Sequence, residues 1–447
     1  MKIIIIGVGE IGFNLAKILS QENHDIVIIE SDHEKCTHAL EQLDVSVIEG
    51  NGASGEMLDK AGIHDAEIVI AASNIDEVNI MACMLSKQLS KARTVARVRN
   101  LEYSGENSVI TANQLGIDLM IHPEKEIANE IVRLAQQASA TECMAFAKGK
   151  LQLLGLRLTN RQAPAVGKTL LELGVGYTDI PFRVVAIVRQ NEIIIPKGDD
   201  WIHFNDQLYV ISDSDTVPKV LELTGKDNEQ LEDVMLLGGG KIGRFVAESL
   251  EDEVSVKLVE SVREKSIKIA EQLKKTLVIS GDGTDLDLLA REGIMDMDTY
   301  IALTNDDEKN IISCLLAKHL GVKRVIALVN KLIYLPILPT IGIDASVSKV
   351  LSTVDAILRF VRKGKVMSVS TFKGVVAEVI EFVVPEGAKI AKKDLINIKF
   401  PESAIVGGII RGDKVFIPTG TTRLQHEDKA IVFALPDAIN EVEKLFG

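Results

Sequence analysis

The chain has 447 residues, of which 46% are hydrophobic, enough for several buried cores. Its 64 acidic and 50 basic residues give a formal net charge of −14, which repels nucleic acid phosphates and anionic lipid headgroups. The composition therefore disfavours a protein that binds DNA, RNA or a bare lipid surface.

From residue 1, short apolar runs alternate with helical patterns. The predicted strands are residues 3–6, 26–29, 45–48, 68–72, 95–98 and 118–121. The predicted helices between them are residues 12–21, 33–42, 54–61, 76–90 and 105–114. Runs that are apolar throughout are typical of strands buried on both faces of a parallel sheet. The alternation therefore predicts an α/β fold with a doubly wound, Rossmann-type sheet.

A glycine fingerprint links the first strand to the first helix. Its residues are Gly7, Val8, Gly9, Glu10, Ile11 and Gly12. In such a turn the first glycine permits a tight bend, the second allows a pyrophosphate close to the backbone, and the third allows the helix to pack on the strand. The amides at the helix N-terminus then face the phosphates. This context predicts a nucleotide site.

Polar residues at the ends of the other strands belong to the same predicted crevice. Glu30 lies 18 residues after Gly12, where an acid binds ribose hydroxyls and repels a 2′-phosphate, so NAD(H) or an adenosine nucleotide is favoured over NADP(H). The further candidates are Asn51, Ser73, Asn74 and Arg97, with Arg99 beside them.

The pattern changes after the first module. Residues 124–138 form an apolar helical stripe, which packs either on its own module or, as a crossing helix, on another. Residues 142–222 then read as short strands (151–158, 184–188, 193–195 and 207–211) in a small α+β module. The polar stretch 224–233 is the best candidate for a linker.

The whole arrangement is then repeated. Residues 3–12, IIIIGVGEIG, correspond to residues 234–243, VMLLGGGKIG, with a shift of 231 positions. A second crevice is therefore predicted from Gly238, Gly239, Gly240, Lys241, Ile242, Gly243, Glu260, Asp282, Thr304 and Asn305. Arg97 and Arg99 are matched with Ala327 and Val329, so the second crevice is expected to lack a cationic phosphate contact and to differ in affinity or nucleotide preference.

The repeat predicts two Rossmann-type domains, each followed by a crossing helix and a small α+β domain. The first unit comprises the nucleotide-binding domain 1–123, the crossing helix 124–140 and the small domain 141–224. The second comprises the domain 231–348, the crossing helix 349–364 and the small domain 365–447, with strands at 375–384, 405–410, 415–417 and 430–434. The apolar stripes of both crossing helices predict a homodimer or homotetramer.

Other features favour a cytosolic protein that is not an enzyme. The cysteines and histidines lack metal-site spacing, the N-terminus lacks a signal-peptide pattern, and the most apolar segment, 332–343, is shorter than the ~20 residues of a membrane span. The small modules are short and poor in paired acids and bases, so no catalytic residue is assigned. An NAD-dependent dehydrogenase is the alternative, because Rossmann modules often belong to enzymes.

The combined motifs resemble the TrkA family, cytosolic NAD-binding regulators of Trk potassium uptake built from two RCK (KTN) domains. The resemblance rests on the glycine turns, the strand-end glutamates, the paired segments 71–79 and 302–310, the ARVRN strand and the tandem order. It implies NAD(H), with ATP or ADP as further ligands. It also implies a ring of RCK modules on the cytosolic face of the membrane, bound to a potassium transporter pore subunit similar to TrkH or TrkG.

Overall fold

The computed structural model describes residues 1–22, 24–103, 111–136, 140–190, 192–226, 231–361, 366–372 and 375–447. These residues form two six-stranded parallel sheets and two five-stranded antiparallel sheets. The α/β fold class predicted from the sequence is thus confirmed. Each Rossmann-type sheet is followed in the chain by a small α+β module with an antiparallel sheet.

The first parallel sheet has the strand order β3-β2-β1-β4-β5-β6, so its order reverses beside β1. Its strands are β1 (Lys2–Ile6), β2 (Asp25–Glu30), β3 (Ser46–Glu49), β4 (Ile68–Ala71), β5 (Arg93–Arg97) and β6 (Leu119–Ile121). Its helices are α1 (Glu10–Gln21), α2 (His33–Gln42), α3 (Gly55–Lys60) and α4 (Asp76–Leu89). Ile3 and Ile5 pack into one core and Ile4 and Ile6 into another, which explains why β1 is apolar throughout.

The first small module follows helix α5 (Pro123–Gln136). Its strands are β7 (Glu142–Phe146), β8 (Leu151–Arg157), β9 (Phe182–Arg189), β10 (Glu192–Ile194) and β11 (Gln207–Asp213). Its helices are α6 (Leu170–Gly176) and α7 (Val217–Leu223). The strand order is β10-β9-β11-β8-β7.

The second parallel sheet repeats the first, with the order β14-β13-β12-β15-β16-β17. Its strands are β12 (Asp233–Leu237), β13 (Ser255–Glu260), β14 (Leu277–Ser280), β15 (Thr299–Ala302), β16 (Arg324–Leu328) and β17 (Ala345–Val347). Its helices are α8 (Lys241–Leu250), α9 (Arg263–Gln272), α10 (Leu286–Arg291), α11 (Asp307–His319) and α12 (Leu338–Ile341).

The second small module follows helix α13 (Lys349–Val361) and ends with helix α14 (Pro436–Phe446). Its strands are β18 (Val366–Phe372), β19 (Val375–Val383), β20 (Ala404–Arg411), β21 (Lys414–Phe416) and β22 (Lys429–Ala434). The order β18-β19-β22-β20-β21 matches that of the first small sheet.

The chain divides into two compact units that cut across the repeat. One unit contains residues 1–127 and 348–361, so α13 lies with the first Rossmann-type sheet although it follows the second in sequence. The apolar stripe of α13, including Val354 and Ile357, packs in the same core as α1. This helix therefore crosses to another module, as one of the two sequence alternatives proposed.

The other unit contains residues 128–347 and 362–447. In this unit Gln136, the last residue of α5, donates a hydrogen bond of 3.0 Å to Glu253, close to the end of α8. The two small sheets share a core that includes Tyr209, Ile211 and Phe433. A Cβ atom at Gly407 would lie 2.3 Å from the Cδ1 atom of Ile211, so a glycine is required where the sheets approach.

The crossing-helix stripes do not provide the free surface that the oligomer prediction assumed. Ile131 and Val354 are 0% exposed within the chain itself. The expectation that these two residues face another copy is therefore wrong, because intramolecular packing already covers them. The prediction of an oligomer needs a different surface.

Two edge strands, β7 and β18, are present where the sequence indicated none. Most of the predicted helix 105–114 and the centre of the predicted linker 224–233 lie outside the described residues.

In the described part of the chain, no helix is long and apolar enough to cross a membrane. All four cysteines are buried and form no disulfide bond.

Candidate functional site

The first glycine turn lies at the carboxyl end of β1. Gly7 has a φ of +87°, and a Cβ atom there would lie 2.7 Å from the Cα atom of Ser73. A Cβ atom at Gly12 would lie 1.9 Å from the carbonyl oxygen of Gly7, so both positions exclude side chains. At Gly9, by contrast, a Cβ atom would meet nothing within 4 Å. The middle glycine thus borders open space at the N-terminus of α1, where a phosphate fits.

Glu30 lies directly beside this turn. One carboxylate oxygen accepts a 2.8 Å hydrogen bond from the amide of Val8. The other accepts hydrogen bonds from the amides of Ser31 and Asp32, at 2.8 and 3.0 Å. The backbone therefore fixes the carboxylate beside the glycine turn, where it can accept hydrogen bonds from the hydroxyl groups of a ribose.

The remaining candidates of the first crevice form a network across β4 and β5. The guanidinium of Arg97 donates to the carbonyl of Ser73 at 3.1 Å and to the side chain of Asn74 at 2.9 Å. Arg97 is only 7% exposed, and burial lowers its pKa. Asn51 stands apart from this network and uses its side-chain oxygen to accept the amide of Ala53 at 2.9 Å.

Asn79 holds this network together and was not among the predicted site residues. Its side-chain amide donates to the carbonyls of Ser73 and Arg97, at 3.0 and 2.8 Å. Asn310 makes the same two contacts in the second copy, to Thr304 at 3.0 Å and Leu328 at 2.8 Å. The asparagine that closes each of the paired segments 71–79 and 302–310 was the signal in the sequence.

The second glycine turn has the same backbone design. Gly238 has a φ of +104°, and a Cβ atom at Gly243 would lie 2.0 Å from the carbonyl oxygen of Gly238. Gly240 again borders open space within 4 Å. Ile11 and Ile242, the fifth residues of the two fingerprints, are 5% and 7% exposed. Both are core residues, so their side chains do not face a ligand.

Glu260 is held differently from Glu30. One carboxylate oxygen accepts the amide of Gly239 at 3.0 Å and the ammonium of Lys265 at 2.8 Å. The other accepts the amide of Val262 at 3.0 Å. Burial acts to raise the pKa of Glu260, but the hydrogen bond from Lys265 and the backbone amides hold it below its usual value. The carboxylate at the end of β13 is therefore paired with a cation, which the carboxylate of Glu30 is not.

A second ion pair lies at the end of β14. Lys309 contacts the carboxylate of Asp282 at 2.9 Å, and the amide of Thr284 donates to the same oxygen at 3.0 Å. These hydrogen bonds, with Lys309 first, lower the pKa of Asp282 to about 2. Thr304 follows β15, and its amide donates a hydrogen bond of 2.9 Å to the side-chain oxygen of Asn310. The neighbouring Asn305 is exposed.

The strand register corrects the match proposed for the arginines. Ala71 pairs with Ala96 and Ala302 pairs with Ala327, so Arg97 corresponds to Leu328 and Arg99 to Asn330. The second copy does lack these arginines. It carries lysines at positions 241, 265 and 309 instead, of which Lys265 and Lys309 contact Glu260 and Asp282, so the lack of a cationic phosphate contact in the second crevice stays a prediction.

Each crevice therefore offers an open helix N-terminus, an acid held by backbone amides at the end of the second strand, and cations near the strand ends. Among the described residues, no group of His, Cys, Asp and Glu is arranged to hold a metal ion. The arrangement is suited to binding a nucleotide.

Comparison with known proteins matches four segments of the chain to two family models. Residues 3–123 and 234–349 match the family model of the TrkA-N domain, and residues 157–225 and 379–447 match that of the TrkA-C domain. The chain is 36% identical to the Trk system potassium uptake protein TrkA homolog 1 of Methanosarcina mazei, over 100% of both chains. It is 34% identical to the Trk system potassium uptake protein TrkA of Azorhizobium caulinodans, over 100% of this chain and 98% of that one.

Solved structures are similar at the level of the fold. The GsuK RCK domain superimposes with a TM-score of 0.61 at 20% identity, covering 100% of this chain and 94% of that one. A structure described as the GsuK channel bound to NAD gives a TM-score of 0.61 at 20% identity, over 100% and 78% of the two chains. A structure of GsuK bound to ADP gives 0.50 at 17% identity, over 81% and 69%.

Proposed function

The chain belongs to the TrkA family of Trk potassium-uptake proteins, and from this premise we propose that it is a nucleotide-sensing regulatory subunit without catalytic activity. In this proposal, nucleotide in the two crevices controls a membrane potassium transporter. Control of this kind requires a ligand that binds one arrangement of the protein better than another.

The observation that carries the nucleotide-binding part is the open space at Gly9 beside the fixed carboxylate of Glu30. We propose NAD(H) as a ligand of the first crevice and ATP or ADP as further ligands. The similar GsuK structures with NAD and with ADP support this choice of ligands at the level of the fold. The ligand-contacting residues we propose are those of the two glycine turns and the strand ends described above.

The regulatory role is favoured over a dehydrogenase. A dehydrogenase needs an acid–base pair positioned over the nicotinamide, and the polar residues described around the first crevice, Asn79, Arg97 and Asn74, instead bond to one another and to the backbone. The names of the full-length relatives describe potassium uptake, which supports a regulatory subunit.

The proposed partner is the pore subunit of a membrane potassium transporter, similar to TrkH or TrkG. We place the protein in the cytoplasm, at the cytosolic face of the membrane, as a homodimer or homotetramer. A net charge of −14 makes specific contacts with the pore subunit a better basis for this location than attraction to lipid headgroups.

Calorimetry with the full-length chain tests the proposal. NADH, NAD⁺, ATP and ADP are titrated separately, and at least one is expected to bind without turnover. Gly9→Val places a side chain in the open space of the first turn, so it should abolish binding to the first crevice while the protein stays folded. Gly240→Val is the matched variant for the second crevice. Steady hydride transfer between NAD(H) and a hydroxy or amino acid substrate would refute the regulatory role. Unchanged nucleotide binding in both variants would refute the assignment of the two crevices as nucleotide sites.

A further inference from the structure

The two crevices differ most at the position where a nucleotide ribose would lie. Residues 30–35 read ESDHEK and residues 260–265 read ESVREK, so only two residues differ: Asp32 against Val262, and His33 against Arg263. Across the sheet, Glu30 pairs with Glu49, whereas Glu260 pairs with Ser280. The first copy thus has two acids, Asp32 and Glu49, that the second copy lacks.

Asp32 determines where the lysine of this segment points. In the first copy the ammonium of Lys35 lies 3.4 Å from the carboxylate of Asp32. The carboxylate of Glu30 accepts hydrogen bonds from backbone amides instead. In the second copy Val262 offers no carboxylate, and Lys265 contacts Glu260 at 2.8 Å instead. The Lys265 side chain is 47% exposed, so its ammonium borders both the buried carboxylate and the solvent.

The start of the adjoining helix differs for the same reason. The side chain of Asp32 accepts the amides of Glu34 and Lys35 and so caps helix α2. Within the described residues, no side chain caps the equivalent helix α9 at Val262. The amide of Lys265 donates to the carbonyl of Val262 at 3.0 Å instead. The first turn of α9 therefore has no capping acid and carries Arg263 and Lys265, an arrangement that favours an anion.

The charge around the ribose position follows these differences. The first copy has four acids there, Glu30, Asp32, Glu34 and Glu49, against Lys35 and the imidazole of His33, which lies 2.8 Å from the carboxylate of Glu49. The second copy has two acids, Glu260 and Glu264, against two bases, Arg263 and Lys265. A phosphate on the ribose would be repelled in the first crevice and would meet a balanced, cation-lined surface in the second.

On this basis we propose that the second crevice binds an adenosine nucleotide with a phosphate on the 2′ oxygen of its ribose, of the NADP(H) class, which the first crevice excludes. Arg263 and Lys265 are the residues that determine this specificity. The ammonium of Lys265 has three donors, so it can contact the phosphate while it neutralises Glu260. The proposal rests on the proposed function, because it requires the second crevice to be a nucleotide site.

The test uses the full-length chain with one crevice blocked at a time. Gly9→Val leaves only the second crevice open to ligand, and Gly240→Val leaves only the first. Both variants should fold, because a Cβ atom at either position would meet nothing within 4 Å. Each variant is titrated with NAD⁺ and NADP⁺, and with the smaller pair 5′-AMP and 2′,5′-ADP. The affinity for the 2′-phosphorylated ligand, relative to its partner, should be at least about tenfold higher in the second crevice than in the first.

Two substitutions assign the effect to this segment. Lys265→Met in the second crevice should reduce the affinity for NADP⁺, relative to that for NAD⁺, about tenfold. Lys268→Met removes the same charge from an exposed position on the same helix and should have little effect. Asp32→Ser in the first crevice keeps a capping side chain but frees Lys35, so it should raise the relative affinity for NADP⁺ there.

Equal relative affinities in the two crevices, or a Lys265→Met variant that binds like the wild type, would overturn the specificity proposal. The proposed function would survive either result as long as NAD⁺ or an adenosine nucleotide binds. If no nucleotide binds to the wild-type chain at all, the proposed function itself fails.

Discussion

Lys226 is a half-buried cation near Arg324, Lys318 and Asp344. Burial, followed by the charge of Arg324, lowers its pKa to about 8. The charge of Asp344 acts in the opposite direction but is outweighed. The folded protein therefore holds the charged form of Lys226 at a cost in stability.

This cost predicts a pH dependence. The unfolded chain has a lysine pKa of about 10.4 and binds the proton more readily than the folded chain between about pH 8 and 10.4. The contribution of Lys226 therefore makes the free energy of unfolding rise with pH in this window and stay low below it. Lys226→Met should increase the free energy of unfolding at pH 7 by about 2–3 kcal/mol and remove this part of the rise.

Thermal unfolding at pH 7 and pH 9.5 measures both effects, with Lys268→Met as the exposed control. A Lys226→Met variant that is less stable than the wild type at pH 7 would contradict the prediction.

At the residue scale, the sequence predicted the backbone of the crevices better than their side-chain pairs. The glycines and Glu30 were identifiable because each is needed for a local reason: a tight turn, a close approach or a strand end. The pairing of Lys265 with Glu260 was not, because it depends on whether residue 262 offers a competing carboxylate. Similarly, the roles of Asn79 and Asn310 depend on carbonyls 18 residues away.

At the scale of an element, Arg93 holds the C-terminal end of the crossing helix α13. Its guanidinium donates to the carbonyls of Phe360 and Val361, at 2.9 and 2.7 Å, and lies 5.1 Å from the centre of the Phe360 ring. Such carbonyls have no partner inside the helix, and a cation is favoured beside them. Arg324, at the same position of the second copy, donates to the carbonyl of Ala140 after α5.

Arg93→Met should therefore loosen α13 from the first Rossmann-type sheet. The loss of two charge-assisted hydrogen bonds is expected to cost about 1.5–3 kcal/mol. Hydrogen exchange should increase in residues 349–361 and the thermal midpoint should fall. Lys91→Met, at an exposed position two residues earlier, is the control. Unchanged exchange in α13 would show that its apolar stripe holds the helix without Arg93.

The elements themselves were predictable to different degrees. Long apolar runs identified the parallel strands, since a strand buried on both faces needs such a run. The edge strand β7 was missed because it pairs on one side only and reads ECMAF, without a clear alternation. The apolar stripe of α13 was recognised, but its periodicity carries no information on which module covers it.

At the scale of the whole molecule, the duplicated sequence produces two sheets with the same strand order and two crevices with different charges. The shared order follows from the apolar pattern, which both copies retain. The charge difference comes from residues at strand ends and helix starts, where the fold tolerates Asp, Val, His or Arg. A duplicated scaffold can in this way hold two sites of different specificity.

The surface that best fits an interface between copies lies on the second Rossmann-type module. Ile333, Ile337 and Ile341 are spaced by four residues and are 77%, 52% and 41% exposed. Ile312 on α11 is 53% exposed, and Glu308 of the same helix bonds to Tyr334 at 2.8 Å, which ties α11 to this segment. Exposed isoleucines grouped in this manner are typical of a protein–protein contact.

We therefore expect the wild-type chain to be a dimer or tetramer in dilute solution and an Ile333→Glu/Ile337→Glu variant to be smaller. The buried charge would oppose association, while nucleotide binding and the thermal midpoint should persist because both side chains are exposed in the chain itself. Sedimentation or light scattering gives the masses. Ile396→Glu, 73% exposed on the second small module, is the control and should keep the wild-type mass. A monomeric wild type, or a double variant of unchanged mass, would exclude this interface.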